Sequence, residues 1–301
     1  MFSLHSSIGC TQHGHSIGAR CTTCNTDVRL LTDVALPLLW QRNPRRGNEI
    51  PVVTGVTTLH GVNFDNHTCP WYDVPNSERA KVAVSQTPTF IEEERLRAQG
   101  YRLIAGVDEV GRGPLAGPVV AAAAILPLEA RPSWLHLLRD SKQLTPQRRE
   151  FLFDCIQKDG ISFGVGIVSH EVVDEQGIVA ATRLAMRYAV DQLPGFPDFL
   201  LLDFVRLPDV RISQKSIVNG DGLCLSIAAA SIIAKVTRDR IMVQLDRQFP
   251  GYGLVRNKGY GTPEHIEGLQ RLGPCPLHRK TFAPVRAVSS DAGVVSDGVR
   301  P

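Results

Sequence analysis

One stretch limits what this chain can fold into: Ile104-Ala-Gly-Val-Asp-Glu-Val-Gly-Arg-Gly-Pro-Leu-Ala-Gly-Pro118. A short apolar run ends in two adjacent carboxylates, Asp108 and Glu109. A glycine turn around Arg112 follows, and a second apolar run, Val119 to Leu126, leaves it. The second run is too apolar for a half-exposed strand, which predicts an interior position in a sheet covered on both faces. Two acids at a strand end suit a divalent cation, and glycines on either side of an arginine suit backbone held close to a polar ligand. Successive residues of a regular strand face opposite ways. Both acids therefore reach one site only if the chain turns or bulges there, and Gly111 and Gly113 make that feasible.

The surrounding pattern predicts one mixed α/β domain. Pro88 to Gln99 reads as a helix closed by Gly100, and Tyr101 to Val107 as a strand. Thr145 is placed to cap a helix with Pro146 at its first position, running to about Gln157. Ile161 to Ser169 is a third strand, Glu171 to Leu193 a largely helical stretch, and Phe199 to Leu202 a buried strand ending at Asp203. Ser213 to Val218 is a weaker strand, Leu225 to Arg247 a long helix, and Thr262-Pro263-Glu264 the start of a short one. Strands on each side of helices imply a mixed sheet with helical layers.

Outside this region the text changes. Residues 1–87 are rich in His, Cys, Asn, Thr and Pro, and only Val28 to Trp40 suits a helix or strand. A poorly ordered extension is expected, or an upstream start with the protein proper beginning near residue 87. Cys21 and Cys24 have zinc-knuckle spacing, and Cys10 with His13 or His15 would complete four ligands, but a second CxxC or an HxxxH is absent. The tail 287–301 is small and polar, and is expected to be disordered. A net charge of +3 permits a nucleic-acid partner without arguing for one. No apolar run approaches the ~18–20 residues of a membrane helix, and residues 1–30 have no secretory apolar core. Seven scattered cysteines point to reduced thiols and a cytoplasmic location.

Four acids then stand out. Asp108 and Glu109 end one strand, Asp203 ends another, and Asp239 shares the apolar stripe of the long helix, three residues after Val236 and four before Val243. A charge turned toward a core is costly unless paired or bound to metal. For Asp239 the plain alternative is an ion pair with Lys235. Gathered together, the four would suit Mg²⁺, and two ions ~3.5–4 Å apart would support phosphodiester hydrolysis.

Residues 88–286 resemble bacterial ribonuclease HII, the type 2 ribonuclease H. The resemblance rests on Gly-Val-Asp-Glu-Val-Gly-Arg-Gly-Pro-Leu-Ala-Gly-Pro118, Asp140-Ser-Lys-Gln-Leu144 and Leu-Leu-Leu-Asp203. It extends through Ser226-Ile-Ala-Ala-Ala-Ser-Ile-Ile-Ala-Lys-Val-Thr-Arg-Asp-Arg240 and Asn257-Lys-Gly-Tyr-Gly-Thr-Pro-Glu-His265, in family order. It implies an RNase H-like mixed sheet flanked by helices, with a C-terminal helical extension. It also implies Mg²⁺- or Mn²⁺-dependent cleavage of RNA in RNA–DNA hybrids, including single ribonucleotides in duplex DNA, by a monomer. Cleavage 5′ to the ribonucleotide would leave a 3′-hydroxyl and a 5′-phosphate. By motif position Asp108, Glu109, Asp203 and Asp239 match the metal-binding acids. Gly111, Arg112 and Gly113 match the element contacting the ribose 2′-hydroxyl, Tyr260 the tyrosine packing on the neighbouring sugar, and Lys142 a phosphate contact. Two departures are visible: Phe204 where glycine is frequent, and Asn219-Gly-Asp-Gly-Leu223 where a Lys-Gly-Asp-Ala-Lys-like run is usual.

Three other readings compete. Gly111-x-Gly-x-x-Ala116 fits a dinucleotide-binding fingerprint, but the acids before it would repel a pyrophosphate and a strand-like run follows it rather than a helix. A zinc-dependent DNA-binding protein would use the N-terminal cysteines and histidines. A hybrid-only ribonuclease would share the acids but ignore single ribonucleotides.

Overall fold

The computed structural model describes residues 87–291 together with four short strands nearer the N-terminus. There β1 (Ile17–Arg20) pairs with β2 (Asp27–Leu30) and β3 (Leu39–Arg42) with β4 (Glu49–Val52), both antiparallel. The expected regular stretch, Val28 to Trp40, overlaps β2 and β3 but misses their partners, whose four-residue patterns are too short to read. These strands belong to a unit of residues 1–65, distinct from a second unit that begins at Asn66. The zinc candidates Cys10, His13, His15, Cys21 and Cys24 lie outside the described residues.

The second unit is built on five strands: β5 (Ile104–Val110), β6 (Val119–Ile125), β7 (Ser162–Val168), β8 (Phe199–Asp203) and β9 (Ser213–Ile217), in spatial order β7-β6-β5-β8-β9. The first three are antiparallel neighbours, whereas β8 and β9 run parallel to β5. The pleat of β6 explains its composition. Val120, Ala122 and Ala124 face a core with α2 (Pro146–Lys158) and α5 (Leu225–Gln248), while Val119, Ala121 and Ala123 face α4 (Ile178–Asp191). The interior position expected for this run is borne out. Fully burying Ile232 and Ile233 of α5 against it contributes about 2 kcal/mol each.

Small residues bring the layers close. A Cβ on Gly106 would lie 2.2 Å from the Ser226 carbonyl carbon at the start of α5. The caps read from sequence are present: the Thr145 hydroxyl accepts from the Arg148 amide and the Thr262 hydroxyl from the His265 amide. The stretch Glu171 to Leu193, expected to be largely helical, is so, as two helices, α3 (His170–Gln176) and α4. Gly177, with φ 79° and ψ 159°, breaks it in a conformation closed to other residues.

A helix α1 (Ile91–Ala98) precedes the sheet, and α6 (Leu254–Asn257), α7 (Pro263–Leu272) and α8 (Ala283–Asp291) follow it. Helix α8 runs past Ala287, where the tail was expected to begin, because Val285 and Val288 find apolar partners in Leu115, Ile266 and Leu269. No described helix is long and apolar enough to cross a membrane.

Candidate active site

The parallel pairing of β5 with β8 brings the first acids together. Their register matches Val107 with Leu202, so the next residues, Asp108 and Asp203, leave neighbouring strand ends on the same face. The chain then returns through β9 to Asn219, which is left-handed at φ 55°, and a single turn of 3₁₀ helix, Gly220–Gly222. That turn places Asp221 beside the pair. One carboxylate oxygen from each of Asp108, Asp203 and Asp221 lies within 4.8 Å of the others. The Gly220 amide donates to Asp203 Oδ1 at 2.8 Å, which fixes this carboxylate against the turn carrying Asp221.

The Glu109 side chain leaves β5 on the opposite side of the pleat, yet its carboxylate stays close enough to Asp108 and Asp203 for their charges to repel. β5 stays regular through Val110, pairing Asp108 with Ala122 and Glu109 with Ala121, so the expected turn or bulge at the acids does not occur. The ladder with β6 has partners for every residue to Val110 and leaves no reason to distort. Glu109 accepts from Arg112 Nη1 at 3.4 Å, and its Oε2 is buried without a partner.

Asp239 does not join the cluster. Its Oδ1 is 2.7 Å from Lys235 Nζ and its Oδ2 is 3.6 Å from Arg149 Nη2. Arg149 in turn donates to the carbonyls of Ser141 and Leu144. The position on the apolar stripe thus reflects an ion pair bracing the Asp140–Leu144 turn, and the third clustered acid, Asp221, is one that sequence reasoning missed. Asp221 was legible only as the acid of Gly-Asp-Gly just before α5. From the braced turn, Lys142 Nζ reaches Asp221 at 3.2 Å and Asp140 at 3.5 Å.

The acids carry the electrostatic signature of crowding. Burial, then the neighbouring charges of Glu109 and Asp203, pushes Asp108 well above the usual carboxylate range. Burial also raises Glu109, Asp203 and Asp221, against the opposing pull of Arg112, the Gly220 amide and Lys142 respectively. Crowded oxygen ligands whose charges repel, with an orphaned Glu109 Oε2 nearby, fit a hard divalent cation.

The glycine turn lies against the same site. Gly111 has φ 94°, and a Cβ on Gly113 would meet the Tyr260 ring at 3.7 Å, so the turn and the half-exposed tyrosine form one wall. Phe204 follows Asp203 with φ 55° and a largely exposed ring, a left-handed position that glycine would fill without strain.

Behind Tyr260 runs a buried hydrogen-bond chain. The Cys275 amide donates to His278 Nδ1 at 3.0 Å, His278 Nε2 meets His265 Nε2 at 3.1 Å, and His265 Nδ1 reaches the Tyr260 carbonyl at 2.9 Å. Directional consistency assigns both rings as neutral tautomers, His278 donating from Nε2 and His265 from Nδ1. Burial, and then the facing His265, lowers His278 to about 4, and burial also lowers His265. The folded state thus holds His278 neutral while the unfolded chain takes up its proton near the ordinary 6.5. Stability is present above that pH, falls as pH drops from 6.5 toward 4, and the loss reaches about 3 kcal/mol below the folded value. His278→Gln should lower stability at neutral pH but flatten this window. Chemical denaturation between pH 7.5 and 4 checks it, and parallel curves for the two proteins would refute the assignment.

Comparisons with known proteins identify the family. Residues 105–285 match the family model "Ribonuclease HII". A ribonuclease HII of Dehalococcoides mccartyi is 53% identical over 201 residues, covering 67% of this chain and 95% of that protein. One from Acetivibrio thermocellus is 53% identical over 192 residues, covering 64% and 74%. Among solved structures, the ribonuclease H2 of Pyrococcus horikoshii OT3 superposes with a TM-score of 0.53 at 28% identity, covering 63% of this chain and 98% of that one. The family match over 105–285, set on this five-stranded sheet with its clustered acids, shows that the chain belongs to the ribonuclease HII family, endonucleases of the ribonuclease H type that act on RNA–DNA hybrids.

Proposed function

We propose that this protein nicks duplexes at single embedded ribonucleotides as well as cutting longer RNA–DNA hybrids, using Mg²⁺ or Mn²⁺. The observation that carries this reading is the shared wall. Arg112 of the glycine turn pairs with Glu109 and its charge acts on Asp203, while Gly113 of the same turn lies against Tyr260, so the phosphodiester and the sugar that identifies it would be read together. The 2′-hydroxyl is the group separating RNA from DNA, and a glycine turn lets backbone donors approach it.

In this reading Asp108, Glu109, Asp203 and Asp221 hold the cations, and Asp239 is left out of the set because Lys235 and Arg149 engage it. Divalent cations held by these acids would supply Lewis acidity for phosphodiester hydrolysis, which would leave 3′-hydroxyl and 5′-phosphate ends. The chain's own residues do the rest. Lys142, from its exposed turn, neutralises a substrate phosphate, Tyr260 packs on the adjoining sugar, and the Gly111–Gly113 amides face the 2′-hydroxyl. All four acids come from one chain, which supports action as a monomer. The scattered cysteines support the cytoplasm as its compartment.

The test is a gel assay on a DNA duplex carrying one ribonucleotide, with Mg²⁺ or Mn²⁺. The expected product is a single nick on the 5′ side of the ribonucleotide. Cleavage of a long hybrid with the single-ribonucleotide duplex left intact would establish the hybrid-only alternative instead.

A further inference from the structure

Two arginines are buried with no salt bridge among the described residues. Arg238 and Arg279 are both 0% exposed. Arg238 makes three side-chain hydrogen bonds among the described residues and Arg279 five, and all end on backbone carbonyls. Removing a guanidinium from water costs several kcal/mol, so such a placement needs a strong return. The return lies in the single segment these bonds hold.

Arg279 Nη2 donates to the Gly111 carbonyl at 2.6 Å, and Nη1 to those of Arg112 and Pro114 at 2.9 and 2.8 Å. Its Nε and Nη2 share the Gly117 carbonyl, and its own amide takes that of Leu115 at 2.8 Å. Arg238 takes Ala116 and Pro118 from the same segment, and Lys258 beyond it. Every carbonyl from Gly111 to Pro118 except that of Gly113 is thereby drawn inward. The fit is close: a Cβ on Gly111 would stand 2.3 Å from Arg238 Nε.

The peptide plane converts this into a statement about donors. In a trans peptide the C=O of one residue and the N–H of the next point in opposite directions, and there is no cis bond among the described residues. With the Gly111 and Arg112 carbonyls turned onto Arg279, the amides of Arg112 and Gly113 must point away from it. Gly113 is exposed on that outer side, where the Tyr260 ring stands. A carbonyl accepting a charge-assisted bond also polarises its own peptide, which makes the attached N–H a stronger donor.

We infer that Arg279, backed by Arg238, is the positioning residue for ribose recognition, holding the Arg112 and Gly113 amides outward as a preformed donor pair for a 2′-hydroxyl. The inference rests on the proposed reading of the glycine turn. A lysine cannot replace this arginine: its ammonium is one point with three donors, whereas the planar fork spans four carbonyls set apart along the turn.

The test compares binding of a duplex with one ribonucleotide against its all-DNA counterpart in EDTA, by fluorescence anisotropy, for wild type and Arg279→Lys. Wild type should prefer the ribonucleotide duplex roughly tenfold, the scale of one or two hydrogen bonds. The variant should keep the all-DNA affinity and bring the ratio close to one. A merely structural role would weaken both duplexes together, and a retained ratio would overturn the inference. Should the variant fail to fold, hydrogen exchange on the wild type decides. The peptide spanning residues 104–118 should be protected by the ribonucleotide duplex and not by the all-DNA one, and equal protection overturns the inference. A wild type without any ribonucleotide preference would bring down the ribose reading itself, an outcome distinct from failure of the arginine's role alone.

Discussion

Asp108→Asn should abolish cleavage, by at least about a thousandfold, and at the same time make the metal-free protein more stable. The two effects have one cause. Asp108 is buried at the end of β5, and burial with the charges of Glu109 and Asp203 raises its carboxyl well above the ordinary range. A group raised in the fold binds more protons folded than unfolded, so its contribution to stability is present at low pH and is lost as pH rises through the folded value. At neutral pH the ionised cluster therefore works against the fold until a cation relieves it. Asparagine has nearly the same shape, and its Oδ1 can still accept from the Glu109 amide, as Asp108 Oδ1 does at 2.7 Å. Removing the charge should raise stability in EDTA by about 1–2 kcal/mol. Added Mg²⁺ should then stabilise the wild type by linkage and the variant much less. Thermal melts of both proteins in EDTA and in Mg²⁺ provide the check, and a variant less stable than wild type in EDTA would contradict the account.

The second large effect separates two aspartates that look alike in sequence. Asp221→Asn should lower kcat about a hundredfold or more with little change in folding, because Asp221 stands with Asp108 and Asp203 and, among the described residues, pairs with Lys142 alone. Asp239→Asn should do the reverse. It removes the partner of Lys235, half-buried on α5, and slackens Arg149, which holds the Ser141 and Leu144 carbonyls. A loss of about 1–3 kcal/mol in stability is expected, with kcat within a few-fold of wild type. Steady-state rates and urea melts on the two variants give the comparison. Equal loss of activity in both would return Asp239 to the catalytic set.

Much of the fold was legible because its signals are local. The apolar β6, the Thr145 and Thr262 caps with their prolines, and the α5 stripe each declare themselves within a few residues. The site was legible only where the chain brings acids together by simple rules. Strand ends Asp108 and Asp203 are such a case, since a parallel ladder makes them neighbours. Asp221 depends on a left-handed Asn219 and one turn of 3₁₀ helix, and no periodicity announces that. Asp239 misled for a related reason: a stripe position says that a charge faces inward, not whether it meets a metal or a lysine. Arg238, Arg279, His265 and His278 were invisible because their partners are backbone atoms or rings far off in sequence. The family resemblance recovered the motifs but could not distinguish which of two nearby aspartates sits with the others.

The turn bearing Asp221 is held from a second direction as well. Thr89 pairs as an isolated bridge with Cys224, its amide donating to the Leu223 carbonyl at 2.9 Å and its carbonyl accepting from the Leu225 amide at 3.2 Å. The segment that carries the chain into this domain is thus also an outer wall of its acid site, three residues from Asp221 and joined through Gly220 to Asp203. Tension or slack arriving along the backbone at Thr89 would be felt at two carboxylates together, so the entrance to the domain is also a lever on the geometry of its acid cluster.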